Sequence, residues 1–162
     1  MARILMVDDN VAFLKPMGQI LAAKGHEATT VGTGVEAQEL LRSEGCDVLI
    51  TDVSMEPVSG MELLDMVQKE CPEVPVIMLT GFATFELALR AVKAGAFDLL
   101  TKPFRVDQLL ETIDRVSAWQ TAIVEGQTSH PPDSYKARAL KEFLRSQVPS
   151  IPGHTPATRK TP

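Results

Sequence analysis

The sequence predicts an α/β fold: a doubly wound, five-stranded parallel sheet with helices on both faces. Three observations predict it. Five short strand-like segments, four of them nearly unbroken apolar runs, recur along the first 118 residues. Amphipathic stretches separate them, and three of these stretches close on a glycine. Apolar strands spaced by helices are what a parallel sheet covered on both faces requires. Right-handed crossovers then favour the doubly wound arrangement.

The elements follow in order. Arg3-Ile4-Leu5-Met6-Val7 is the first strand and runs into Asp8-Asp9. The next helix has Asn10 as its N-cap and ends at Lys24-Gly25-His26. Pro16 falls inside it and removes a backbone donor, so the sequence expects either a kink there or a later start. His26 to Val31 is a weaker, edge-like strand, because Glu27, Thr29 and Thr30 break its hydrophobicity. Thr33 caps the second helix, which closes at Glu44-Gly45-Cys46. Asp47-Val48-Leu49-Ile50-Thr51 is the third strand and ends in Asp52; Val74 to Leu79 is the fourth, closed by Thr80-Gly81. A helix over about Phe82 to Ala94 stops at Ala94-Gly95-Ala96. Each of these three glycines stands where a helix terminator adopts the left-handed conformation. Phe97-Asp98-Leu99-Leu100-Thr101 is the fifth strand, closed by Lys102-Pro103. Val106, Leu109, Leu110, Ile113 and Val116 form the apolar stripe of the last helix.

The chain has 162 residues, long enough to bury a core without staples. Sixteen Lys and Arg against 21 Asp and Glu give a net charge of −5, which disfavours direct nucleic-acid binding driven by phosphate neutralisation. Cys46 and Cys71 are too few for a disulfide framework or a thiolate zinc site. No apolar run approaches the roughly 20 residues of a membrane span, and no secretory leader precedes Asp8, so the expected address is the cytoplasm, with no membrane insertion. Residues 1–118 carry a net −8 and residues 119–162 a net +3, with six of the 11 prolines in the second group. The expected division is a domain over 1–120 and a basic, proline-rich tail over 121–162. The tail holds one helix candidate, about 134–148, and an end from Pro149 that reads as disordered. One helix candidate in some 40 residues is too little for a helix-turn-helix module.

In an open α/β sheet, ligands sit beyond the carboxyl ends of the strands. Those ends carry Asp8-Asp9, Asp52, Thr80 and Lys102. Three carboxylates at one edge repel one another unless a cation joins them, and a hard, oxygen-loving ion such as Mg²⁺ suits one or two carboxylates plus waters. A lysine, a hydroxyl and an exposed carboxylate complete a set equipped for phosphoryl transfer, where positioning and charge neutralisation do most of the work.

With these pieces in order, the chain resembles the receiver domain of two-component response regulators over residues 3 to about 120. The resemblance rests on Val7-Asp8-Asp9, on Asp52-Val53-Ser54-Met55 followed by Gly60, and on Leu79-Thr80-Gly81. It extends to Ala94-Gly95-Ala96-Phe97-Asp98-Leu99-Leu100-Thr101-Lys102-Pro103-Phe104. It implies the flavodoxin-like strand order 2-1-3-4-5. It also implies that Asp52 takes a phosphoryl group from a histidine kinase or a phosphotransfer protein. Asp8 and Asp9 would hold Mg²⁺ with Asp52 and the backbone carbonyl of Ser54. Thr80 and Lys102 would bind the phosphoryl oxygens, and Lys102-Pro103 would be joined by a cis peptide. The implied role is a signalling switch rather than an enzyme with an external substrate. Its output would be a change in binding to an effector protein, or homodimerisation through the face made by the fourth helix, fifth strand and fifth helix.

Two positions depart from the family pattern. Leu99 stands three residues before the lysine, where the family usually has an aromatic ring whose rotation is coupled to movement of the residue matching Thr80. Leucine fills the same cavity but presents neither a hydroxyl nor a ring edge. Glu56, in Met55-Glu56-Pro57, adds a carboxylate near the acidic edge and either perturbs metal affinity or points into water. Together they raise an alternative, a pseudo-receiver adaptor that binds its partner regardless of phosphorylation. A hydrolase working through an aspartyl phosphate would need a second carboxylate two residues after Asp52, and Ser54 is there instead.

Plainer roles are available for many of these residues. Asp8 and Asp9 suit the positive end of a helix macrodipole, Thr80 could cap a turn and Lys102 could be solvated. Phe97 and Phe104 read as core, and the two cysteines as small buried side chains. His26, His130 and His154 are scattered. Lys136, Arg138, Lys141 and Arg145 form either the wet face of a tail helix or a docking stripe.

Overall fold

A computed structural model describes residues 1–128. The helix candidate at 134–148 and the proline-rich end lie outside the described residues. Ten elements alternate along the chain: β1 (Arg3–Val7), α1 (Val11–Ala23), β2 (Glu27–Val31), α2 (Gly34–Ser43), β3 (Val48–Asp52), α3 (Gly60–Glu70), β4 (Val76–Thr80), α4 (Phe85–Lys93), β5 (Asp98–Thr101) and α5 (Val106–Val124). The strands form one parallel sheet in the order β2-β1-β3-β4-β5, as expected.

Register follows from burial. β3 and β4 are buried at every position and occupy the middle of the sheet. β2, with Glu27, Thr29 and Thr30 exposed, lies at an edge, where a strand tolerates one wet side. Two apolar layers cover the sheet. Leu5, Val7, Leu49 and Met78 pack with Leu63 and Val67 of α3 and Ala91 of α4 on one face. Ile4, Met6, Ile50, Ile77 and Leu79 pack with Leu14 and Leu21 of α1 and Ile113 and Val116 of α5 on the other.

The helix ends obey local chemistry. The side chains of Asn10 and Thr33 accept from the backbone of Phe13 and Glu36. Gly25, Gly45 and Gly95 all have positive φ, as terminators should. α1 starts at Val11 and continues through Pro16 to Ala23, so the later start does not occur. The carbonyl that loses its partner there, that of Ala12, lies on the exposed side of the helix, where water serves it, while Leu14, Met17 and Leu21 anchor the buried side. α4 begins three residues later than expected, capped by Thr84, which leaves Phe82 in the loop after β4.

Candidate functional site

Parallel strands bring their carboxyl ends to one edge. Asp8 and Asp9 follow β1, Asp52 ends β3, Thr80 ends β4 and Lys102 follows β5. One carboxylate oxygen from each of Asp8, Asp9 and Asp52 lies within 4.8 Å of the other two. Asp8 and Asp52 are buried and Asp9 faces water. The Lys102 ammonium bridges two of them, donating to Asp8 Oδ2 and to Asp52 Oδ1 at 3.2 Å.

Backbone contacts hold each piece in place. The Asn10 amide donates to Asp8 Oδ1 at 2.9 Å, so both oxygens of Asp8 are engaged. The Lys102 amide donates to the Thr80 carbonyl at 2.7 Å, which ties the last residue of β4 to the lysine. The buried Thr80 hydroxyl accepts from the Phe82 amide at 3.2 Å. Beneath Asp52, α3 begins with Gly60, whose amide donates to the Val53 carbonyl at 3.0 Å. A Cβ at position 60 would lie 2.1 Å from the Asp52 carbonyl oxygen. Only glycine allows this approach.

The electrostatics are unbalanced. Burial pushes the Asp52 carboxyl above its usual range; the charge of Lys102 opposes this, while the charges of Asp8 and Asp9 add to it. Burial also works against the Lys102 ammonium, but the hydrogen bond to Asp8 and the charge of Asp52 outweigh it and raise the lysine above its ordinary value. The lysine is therefore a permanent cation at neutral pH. One positive charge facing three carboxylates leaves a cluster of hard oxygen donors with negative charge to spare. That donor set fits a divalent ion such as Mg²⁺, which keeps several waters, and does not fit a soft metal that prefers sulfur or imidazole.

Of the predicted site residues, Asp8, Asp9, Asp52 and Lys102 come together. Glu56 is exposed and lies outside the carboxylate cluster. Leu99 is half-buried and packs, together with Leu87 of α4, against the apolar layer on the α3–α4 face. Ser54 lies in the exposed loop just past Asp52. Lys102–Pro103 is cis as expected, and Glu56–Pro57 is cis as well.

Sequence reasoning overlooked Phe13, whose ring lies under the Lys102 ammonium with the nitrogen 4.6 Å from its centroid. Phe104 meets that ring edge-on at 6.0 Å and, half-buried, packs with it against the apolar layer of α1 and α5, so it joins the core to the site; Phe97 is buried as expected. The available signal was position. Phe13 lies three residues past the Asn10 cap, where a side chain turns back towards the strand end.

Known proteins agree with this architecture. The model of the response regulator receiver domain family matches residues 4–114. The chain is 37% identical over 113 residues to the transcriptional regulatory protein GlrR of Escherichia coli (strain K12), covering 70% of this chain and 26% of that protein. It is 31% identical over 154 residues to the DNA-binding transcriptional regulator NtrC of the same strain, covering 95% of this chain and 30% of that one. It therefore spans between a quarter and a third of these relatives' length. Among solved structures, a response regulator receiver domain protein from Clostridium thermocellum superposes with a TM-score of 0.72 at 31% identity, covering 76% of this chain and 99% of that one. With its five-stranded order, its acidic edge and its bridging lysine, this chain belongs to the response regulator receiver domains of two-component systems.

Proposed function

We propose that Asp52 is the phosphoacceptor of a two-component or phosphorelay pathway. The observation that carries this reading is the Lys102 ammonium shared between Asp8 and Asp52 beside Asp9, at the carboxyl edge of the sheet. An Asp52 oxygen attacks the phosphorus of a phosphohistidine on a kinase or phosphotransfer protein. The N–P bond breaks, the imidazole leaves with the electron pair, and an acyl phosphate forms on the carboxylate. Water later cleaves the P–O bond and returns the carboxylate and inorganic phosphate.

Each residue has a part in that step. Lys102 places a positive charge beside the acceptor oxygen and neutralises charge on the transferred group. Thr80, buried next to the site, offers its hydroxyl to a phosphoryl oxygen. Asp8 and Asp9 would hold Mg²⁺ with Asp52 and the Ser54 carbonyl. When bound, that ion neutralises charge between the acceptor and the phosphoryl oxygens. The chemistry is confined to the protein's own acceptor, so the molecule acts as a switch without turnover of a separate substrate.

The added group brings about −1.5 to −2 charges to the pocket. That charge draws Thr80 and Lys102 inward and changes affinity for a downstream effector protein, or for a second copy through the α4–β5–α5 face. Among the described residues no helix is long and apolar enough to cross a membrane, in keeping with a switch that works in the cytoplasm.

The test is direct. With Mg²⁺ and acetyl phosphate, intact-mass spectrometry of the protein should show one added phosphoryl group, lost in Asp52→Asn. No adduct on the wild type, or the same adduct on Asp52→Asn, overturns the reading. Partner binding indifferent to beryllofluoride, despite a normal adduct, would favour the adaptor role raised by Leu99.

A further inference from the structure

We infer that Phe13 is a positioning residue for the lysine of this site: its ring holds the Lys102 ammonium over the acceptor carboxylate by a cation–π contact. The inference rests on the phosphoacceptor reading and adds to it a residue outside the acid–hydroxyl–lysine set.

The geometry forms a closed circuit. Lys102 Nζ has three hydrogens and two carboxylate partners, Asp8 and Asp52. Its remaining side faces the Phe13 ring, 4.6 Å from the centroid. An ammonium is attracted to the electron-rich face of an aromatic ring at this distance. Phe13 is in turn placed by the cap of α1. Its amide donates to the Asn10 carbonyl at 3.0 Å and to the Asn10 side chain at 3.3 Å. The Asn10 amide donates to Asp8, the other partner of the lysine. Phe104, two residues beyond Lys102, meets the Phe13 ring edge-on at 89°, an arrangement aromatic pairs favour. The ring is therefore fixed from two sides, by the turn that carries Asp8 and by the loop that carries Lys102.

This arrangement addresses a difficulty in the chemistry. A lysine is a flexible point charge with a long stem, and in an acidic pocket it can swing towards whichever carboxylate is nearest. A ring beneath it supplies attraction without a hydrogen-bond acceptor, to a side chain that solvent still partly reaches. The amine then stays over Asp52, available to a phosphoryl oxygen, instead of being drawn out into solvent. The benefit is one of orientation, so it belongs in the rate of transfer rather than in metal binding.

The full chain with Mg²⁺ and acetyl phosphate gives the test. In Phe13→Leu the rate constant at saturating donor should fall about fivefold, with the half-saturating donor concentration and the Mg²⁺ dissociation constant, read by calorimetry, within about twofold of wild type. A trifluorinated phenylalanine at position 13 keeps the shape of the ring but drains its face of electron density; it should slow transfer to a similar extent with an unchanged melting temperature. In a Lys102→Gln background, Phe13→Leu should bring no further loss. A fluorinated protein as fast as wild type overturns the inference while leaving the phosphoacceptor reading intact. So does an undiminished Phe13→Leu effect in the Lys102→Gln background, which would assign Phe13 a merely structural role. Absence of any adduct on the wild type overturns the phosphoacceptor reading, and this inference with it.

Discussion

Two cation–carboxylate arrangements lie at opposite ends of the short strand β5, and they are built differently. At its start, Asp98 is buried. Arg115 of α5 donates to Asp98 Oδ2 at 2.6 Å and the Leu99 amide donates to Oδ1 at 2.7 Å. The same guanidinium nitrogen reaches the Thr112 hydroxyl at 2.7 Å. A carboxylate meets a guanidinium, and both carboxylate oxygens are engaged. Just past the other end, Lys102 serves two carboxylates with a third beside them. The first arrangement is matched and fastens α5 to the sheet. The second holds surplus negative charge that an arriving cation relieves. Burial with balanced charge marks a structural joint; burial with unbalanced charge marks a place for a ligand.

Four substitutions break or sharpen that contrast. The largest effect should come from Gly60→Ala, which drives a methyl group into the carbonyl of Asp52 rather than into a flexible side chain. A loss of about 3 kcal/mol in urea unfolding is expected, and an unchanged midpoint would mean that the loop between β3 and α3 yields freely. Next is Asp98→Ala, which removes the carboxylate from a guanidinium whose side chain is only 22% exposed. Its cost should be about 2 kcal/mol, below the full penalty of a broken buried pair because solvent reaches part of Arg115. Mg²⁺ should not restore it, whereas recovery with Mg²⁺ would erase the distinction between the two clusters.

The third change has the opposite sign. Asp52→Asn removes one of three crowded carboxylates and should raise stability by about 1 kcal/mol at neutral pH without metal, or a melting temperature higher by about 3 °C. Because burial raises the folded-state pKa of Asp52, the folded form holds that proton more tightly than the unfolded chain does. Wild-type stability from this group is therefore highest at acid pH and declines as pH rises through the unfolded and then the raised folded value. The gain in Asp52→Asn should vanish below the ordinary aspartate range, reach its full size at neutral pH and shrink when Mg²⁺ is added. A gain independent of pH and metal would contradict the crowding account. The smallest effect is expected at Arg42–Glu70, where Arg42 Nε lies 3.1 Å from the carboxylate on an exposed surface. Arg42→Ala should leave the thermal midpoint unchanged within error, which sets the baseline for the buried clusters.

Much of this was legible in the sequence, for identifiable reasons. The apolar runs before Asp8, Asp52, Thr80 and Lys102 mark strands because a doubly covered sheet demands them, and their ends mark the site because parallel strands share one polarity. Gly25, Gly45 and Gly95 announce helix ends because their backbone conformation excludes most other residues. Other features escaped because they depend on contacts between distant segments. Nothing near Phe13 reveals that Lys102, far along the chain, will rest on its ring. The spacing of α5 shows its apolar stripe but not that Arg115 reaches Asp98. Pro16 left the start of α1 open because local propensity sees the missing donor and not the exposed position of the carbonyl it leaves unpaired. Gly60 was visible as part of a motif, but its reason, a carbonyl too close for any Cβ, appears only in three dimensions.

That close approach has a consequence for anyone rebuilding the site elsewhere. The acceptor strand and the following helix share so little space that the pocket cannot be transplanted as five side chains alone. A host scaffold would need the same bare stretch of main chain where its next helix begins. Without it, the grafted aspartate would be displaced before any ligand arrived.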